Sequence, residues 1–322
     1  MFNNGKILPI LLPSQNKKFQ IMNIASNKAL RKSAQIIVST ICLVATLACG
    51  EGNGAHIPSI ASRDTLKTPP CRREAVKYTT SGNDIAAIEI TSAGNYMVIP
   101  TMDSIALHNA RKQFSINKVN TFLRKKTVNG AENVICGRFT KRSKGAFTLE
   151  NYGSLEHQTG NKLKLTAEKG KSYELDCIAS IKRNSLDKLN ASVCRTWELT
   201  EVETFIYDED EKELDNHTFS SETMSRDYSK YLIMTEYGTF ASIDKDGKTN
   251  SIGKWKWSDP TNKIFRYRYR GDVGNYGYIQ VDFDGTTMYL QETFSEYDIK
   301  HLQKIKYVII SRCKPVYRSN LK

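Results

Sequence analysis

The residue types best suited to chemistry are present in this chain but scattered. Its five histidines (His56, His108, His157, His217, His301) lie far apart, with no pair four residues apart to grip a metal from one helix face. No HExxH, Walker A, GxGxxG or GxSxG run occurs, so zinc hydrolysis, phosphate cradling and a nucleophile elbow lack their motifs. Ser242-x-Asp244-x-Asp246-Gly247 comes close to a calcium loop, but Gly253 stands where the bidentate acid belongs, which makes a hairpin turn the expectation. The acidic run Asp208-Glu-Asp-Glu211 reads as a solvated loop. The sequence therefore predicts no catalytic residue, no metal and no cofactor, and a protein that is not an enzyme.

Cysteine use points elsewhere. Two of the seven, Cys42 and Cys49, fall in an apolar leader; the other five (Cys71, Cys136, Cys177, Cys194, Cys313) have no CxxC spacing. Cys194 and Cys313 could bridge the ends of one domain in an oxidising compartment, or stand as small buried hydrophobes. Upstream, Lys28, Arg31 and Lys32 precede an uncharged apolar run from Ala34 to Ala48, the layout of a secretory signal, with Met22 as its expected start. The run is shorter than the roughly 20 residues of a spanning helix. It ends in Thr46-Leu47-Ala48-Cys49-Gly50, which resembles a bacterial lipobox and makes Cys49 the expected lipidation site, although Thr46 occupies a position that favours an aliphatic residue. Acyl chains contribute about 0.8 kcal/mol per buried methylene, so such an anchor would hold the chain on a membrane.

This layout divides the chain into a signal region (1–48), a Gly-, Ser- and Pro-rich flexible tether (49–74), an amino-terminal β-rich domain (75–182) and a barrel domain (185–318). The formal net charge of +13, from 47 basic and 34 acidic residues, is distributed accordingly. Residues 1–48 hold six bases and no acid; residues 193–322 hold 19 bases and 21 acids. A uniformly basic nucleic-acid surface is thereby excluded. Arg124-Lys-Lys126 and Lys141-Arg142-Ser-Lys144 concentrate the first domain's charge and suit anionic envelope glycolipid.

The elements that would position any site are short strands. Eight are predicted in the second half: 194–207, 231–235, 238–243, 252–257, 263–269, 276–283, 287–293 and 305–311. Eight antiparallel strands close a barrel wide enough for side chains or one small ligand. Alternation puts Trp255 and Trp257 on one face of their strand, and Tyr267 and Tyr269 on one face of theirs, opposite Arg266, Arg268 and Arg270. With Trp197, these aromatics either pack a core or floor an apolar pocket, and they are the candidate ligand-binding residues. The arginine stripe reads as an outward face that could meet an anionic ligand, glycan or phospholipid head group. A short helix is expected over Asn184–Asn190, plugging or leading into the barrel.

The first half carries the same order in shorter form. Gly94 and Tyr96 match Gly238 and Phe240, and Gly137-Arg-Phe-Thr140 matches Gly253-Lys-Trp-Lys256. Phe147-Thr-Leu149 is set against Ile264-Phe-Arg266, and Gly160–Leu165 against Gly285–Leu290. Two related β units are expected. Residues 102–128 find no counterpart.

Val193-Cys-Arg-Thr-Trp-Glu-Leu199, Glu236-Tyr-Gly-Thr-Phe240, Ser251-Ile-Gly-Lys-Trp-Lys-Trp257 and Met288-Tyr-Leu-Gln-Glu292 together resemble the lipocalin-like lipoproteins of Bacteroidetes. The resemblance covers roughly residues 185–318. It implies an all-β, antiparallel lipocalin-like barrel preceded by a smaller related β domain, held at the outer membrane on its periplasmic or outer side, and it names no ligand. The sequence thus predicts a lipid-anchored cell-envelope protein binding a small apolar ligand, with a non-catalytic protein- or glycan-interaction scaffold as the alternative.

Overall fold

The computed structural model describes residues 60, 73–101, 122–123, 134–143, 146–158, 162–168, 170–224, 228–270, 276–298 and 303–317. The signal region, Cys49, Cys71, Arg124–Lys126, Lys144, Gly160, most of 102–128, and His56, His108 and His301 lie outside them. Ala55–Lys322 forms one compact unit. Within it the fold is all-β and contains two closed antiparallel barrels.

The first barrel joins eight consecutive strands: β1 (Ala75–Thr80), β2 (Ile85–Ile90), β3 (Asn95–Pro100), β4 (Ile135–Ser143), β5 (Ala146–Leu149), β6 (Gly153–His157), β7 (Leu163–Ala167) and β8 (Ser172–Ile181), with β8 closing on β1. It is smaller in strand length, not in strand number. A helix α1 (Lys188–Val193) leads into β9 (Thr196–Tyr207), β10 (Glu213–Ser220), β11 (Tyr231–Met234), β12 (Thr239–Ile243), β13 (Thr249–Asp259), β14 (Ile264–Tyr269), β15 (Gly277–Asp284), β16 (Thr287–Asp298) and β17 (Gln303–Pro315). Strands β9 and β11 to β17 form the second ring, closed by β17 on β9, while β10 hangs from the outer half of β9. The ring contains the eight strands predicted. β10 escaped prediction because most of ELDNHTFS is exposed on both faces and has no apolar alternation. The helix begins later than expected: Asp187 accepts a hydrogen bond from Asn190 N–H (3.0 Å) and caps it there, after a 3-10 turn at Arg183–Ser185.

Duplication is visible in the register. Gly94 and Gly238 both take positive φ (88° and 69°) in hairpin turns with matching bonds, Thr91 N–H to Asn95 O and Thr235 N–H to Thr239 O. The carbonyl of Gly94 accepts from Phe139 N–H and that of Gly238 from Trp255 N–H, each at 2.9 Å. Tyr96 then faces Gly137 across β3–β4, as Phe240 faces Gly253 across β12–β13. In both barrels an aromatic ring lies over a glycine, because the next strand passes too close for a Cβ. Two matches shift. Phe139 pairs with Leu149 and Trp255 with Tyr267, so Phe147 stands opposite Phe265, not Ile264. Continuing through β6–β7 and β15–β16, Leu163, not Leu165, takes the register of Leu290. Short strands specify register weakly, and a slip of one residue exchanges the two faces.

The barrels meet through corresponding hairpins. Ala87, Met97 and Ile99 on the outer face of β2–β3 pack with Ile233, Ala241 and Ile243 on that of β11–β12. Glu89, fully buried there, accepts from Thr235 Oγ1 (2.6 Å) and Thr239 Oγ1 (3.1 Å) and pairs with Lys77 Nζ (3.0 Å). Ser92 N–H donates to Glu236, Thr196 N–H to Asn95 and Tyr237 O–H to the Ala75 carbonyl. Ile60, within the predicted tether, is buried against Tyr207, Tyr289, Val308 and Ile310, and its N–H donates to Gln291.

The glycine corners make an asymmetric prediction. A Cβ at residue 253 would sit 2.3 Å from the backbone oxygen of Arg268, whereas at residue 137 the nearest backbone atom is 3.0 Å away. Gly253→Ala is expected to destabilise by about 1–3 kcal/mol and Gly137→Ala by less, read from urea midpoints. Equal effects would refute the steric account.

Candidate functional site

The residues singled out as ligand-binding lie together inside the second barrel, where they pack as core. Trp197 Nε1–H donates to the Val193 carbonyl (2.8 Å) and Trp257 Nε1–H to Asn190 Oδ1 (2.8 Å), so α1 covers this end of the barrel. Trp255 meets Trp257 and Phe265 edge-on, with centroids 5.6 Å apart in both pairs. Tyr267 and Tyr269 pack edge-on against Phe240. The remaining space is taken by Phe122, from the chain between β3 and β4, whose ring lies 4.9 Å from Phe240 and 4.7 Å from Tyr267. The gap left beside it measures about 10 Å³, room for about one water. Cys194 and Cys313 are core thiols and form no disulfide.

One polar pair sits in this interior. Tyr267 O–H donates to Glu292 Oε1 (2.5 Å) and Phe122 N–H to Glu292 Oε2 (2.9 Å). Burial pushes the Glu292 carboxyl up to about 7, against the pull of both donors. The same burial, with Glu292 alongside, pushes the Tyr267 phenol far above its ordinary range.

The first barrel differs at the corresponding positions. Tyr78 pairs with Ile88, six residues before Gly94, as Trp197 pairs with Leu232, six before Gly238. By register Tyr78 thus takes the place of Trp197, Phe139 that of Trp255, Lys141 that of Trp257 and Leu149 that of Tyr267. Each replacement is smaller or more flexible, and space opens. A cavity of about 380 Å³ is floored by Val76, Tyr78, Ile90, Phe139, Phe147 and Leu163. Arg73, Glu74, Lys141 and His157 complete its lining. The rings of Phe139 and Phe147 stack at 5.0 Å, His157 meets Phe147 edge-on, and the Arg73 guanidinium lies 4.6 Å over Phe139. Burial, followed by Cys177 and Glu74, pushes Tyr78 up to about 12, so its hydroxyl stays a donor at neutral pH. The arrangement offers an apolar floor with a polar, cation-bearing side, which suits binding. None of these residues was singled out from sequence as a pocket residue; the Gly137/Gly253 match was the signal that would have carried Trp255 onto Phe139.

Other expectations resolve locally. Asp244 Oδ1 accepts from Asp246 and Lys248 N–H in a hairpin turn, and Asp208 Oδ1 from Asp210 and Lys212 N–H in another. Among the described residues no three His, Cys, Asp or Glu group to hold a metal, and no helix is long and apolar enough to cross a membrane. Arg266, Arg268 and Arg270 face outward, with Arg266 and Arg268 over the Tyr276 ring (4.5 and 5.3 Å).

Fold and site together define a class: an all-β protein of two related eight-stranded barrels, of which, among the described residues, the first keeps a cavity of about 380 Å³ and the second a gap of about 10 Å³. Compared with protein-family models and with curated proteins, the chain matches none.

Glu292 makes a signed prediction. Between its ordinary value of 4.5 and about 7 the folded chain holds a proton that the unfolded chain releases. Stability contributed here falls as pH rises through that window and levels off above it, by an amount on the order of 3 kcal/mol. Glu292→Gln should flatten the slope of melting temperature against pH from 5 to 7.5; an unchanged slope would assign it to other groups.

Proposed function

We propose that this chain is a non-enzymatic, lipid-anchored envelope protein that carries a small apolar ligand in its amino-terminal barrel. The observation behind this reading is the contrast between two related interiors: tryptophans and Phe122 fill the second, while smaller residues at equivalent positions leave about 380 Å³ in the first. Pockets for small ligands run from roughly 300 to 1,000 Å³ and are mostly apolar with a few placed polar groups. Arg73, Lys141 and His157 would orient a polar or anionic end of the ligand. The second barrel would then be the rigid partner that supports the first through Glu89. The alternative, a protein- or glycan-interaction scaffold, draws on the filled second interior and the outward arginines. The anchor at Cys49 and the envelope location rest on the leader pattern.

Mass spectrometry of the gently purified chain should find a bound apolar molecule in the wild type. Ile90→Trp, which fills the cavity floor, should lose it while keeping the circular dichroism of the wild type. A wild-type chain that purifies empty and binds no hydrophobic dye would favour the scaffold. For the anchor, Cys49→Ala should move the protein from the membrane to the soluble fraction, and retention would mean that the apolar run itself holds the chain.

A further inference from the structure

Beside Glu89 the outer faces of the two barrels leave a groove of about 350 Å³, separate from the calyx of the first barrel. Its apolar walls come from both barrels: Ala87, Ile99 and Ile178 from the first, Ile252 from the second. Ile178 is 54% exposed, an apolar side chain left at the edge of a groove. Among the described residues the charge is one-sided, since Lys77, Lys254, Arg268 and Arg270 line the groove and no described carboxylate does. Glu89 lies beneath, held by Lys77, Thr235 and Thr239.

Lys254 and Arg268 are directly paired across β13–β14 on the outer face. Like charges facing each other across a strand pair are destabilising. Lys254 donates to Thr239 Oγ1 (2.7 Å) and Arg268 lies over the Tyr276 ring; neither has a carboxylate partner among the described residues. Partial burial lowers the Lys254 pKa, Lys77 and Arg270 lower it further, and Glu89 opposes them. Two cations without a direct carboxylate partner among the described residues, beside an apolar trough, complement a ligand with about two negative charges on one end and hydrocarbon on the other. A bare polyanion would leave the isoleucines in water, and a neutral lipid would leave the cations unmatched.

We propose that this groove binds a single-chain alkyl or acyl phosphate monoester, with the phosphate between Lys254 and Arg268 and the chain against Ile99, Ile178 and Ile252. Arg268 presents the planar fork that matches phosphate oxygens, and Lys254 acts as a point charge. Thr239 Oγ1 donates to Glu89, which keeps its oxygen turned toward the Lys254 ammonium and holds that charge at the rim.

The test is titration of the purified chain with dodecyl phosphate, dodecanoate, a neutral dodecyl glycoside and inorganic phosphate. Dodecyl phosphate should bind at least tenfold more tightly than each of the others. Lys254→Gln with Arg268→Gln should weaken it at least tenfold, as should Ile178→Ser, which removes the apolar wall without adding a charge beside the cations. The calyx-filling Ile90→Trp should leave this binding unchanged, so loss of groove binding and loss of the calyx ligand are told apart. Equal affinity for the neutral glycoside, for dodecanoate or for inorganic phosphate would overturn the proposal. So would unchanged binding in folded Lys254→Gln/Arg268→Gln or Ile178→Ser chains, or dodecyl phosphate binding that disappears in Ile90→Trp.

Discussion

Glu89 is buried between two sheets, and a carboxylate taken out of water costs several kcal/mol unless it is paired and hydrogen-bonded. Here the compensation comes from both barrels, Lys77 from the strand beside it and two threonine hydroxyls from the facing hairpin. Such a group is satisfied in few geometries, so it ties the separation and rotation of the barrels to its own hydrogen bonds. Ile233 holds the corresponding position on β11 and packs in the same interface. One barrel thus brings charge and the other brings an apolar side chain to the same place in the fold. The groove above Glu89 follows from that fixed spacing.

The second constraint is volume. An eight-stranded ring encloses about enough room for its own inward side chains, so whether a cavity exists depends on a few residues. Trp197, Trp255, Trp257 and Tyr267 fill one ring, and Phe122 completes it with its amide on Glu292. Tyr78, Phe139 and Lys141 line the cavity of about 380 Å³ that the other ring keeps beside its own packed core. The same register carries two outcomes, a closely packed interior and one that keeps a cavity. Two interiors of different volume need no change of topology, only of side-chain size at a few positions.

Charge follows a similar logic. Residues 193–322 carry no surplus of bases (19 against 21 acids), yet the cation pairs Lys254–Arg268 and Lys256–Arg266 gather on the outer face of β13–β14. Three acids elsewhere are engaged locally: Asp208 and Asp244 accept from backbone amides in their turns, and Asp282 pairs with Lys263. A local excess beside an apolar wall carries more information about a partner than the net figure of +13.

Alternation with period two, glycine corners and turn residues are local signals, and they sufficed for the all-β class, the eight strands of the second ring and the repeat between Gly94–Gly137 and Gly238–Gly253. They failed where the local signal is silent: β10 is exposed on both faces, and the start of α1 depends on one Asp187 hydrogen bond. That Trp255 and Trp257 share one face of their strand was legible, but neither that this face is the interior nor how full that interior is. That depends on Phe122, about 130 residues away in sequence and inserted from the chain of the other barrel. Glu89 likewise reads as one acid in an apolar strand until Thr235 and Thr239 arrive from across the interface. Sequence by itself therefore determined the all-β class, most strands of the second ring and which residues alternate along them. Tertiary structure decided which interior keeps a cavity and where the barrels meet, because volume and desolvation are sums over residues that only the folded chain brings together.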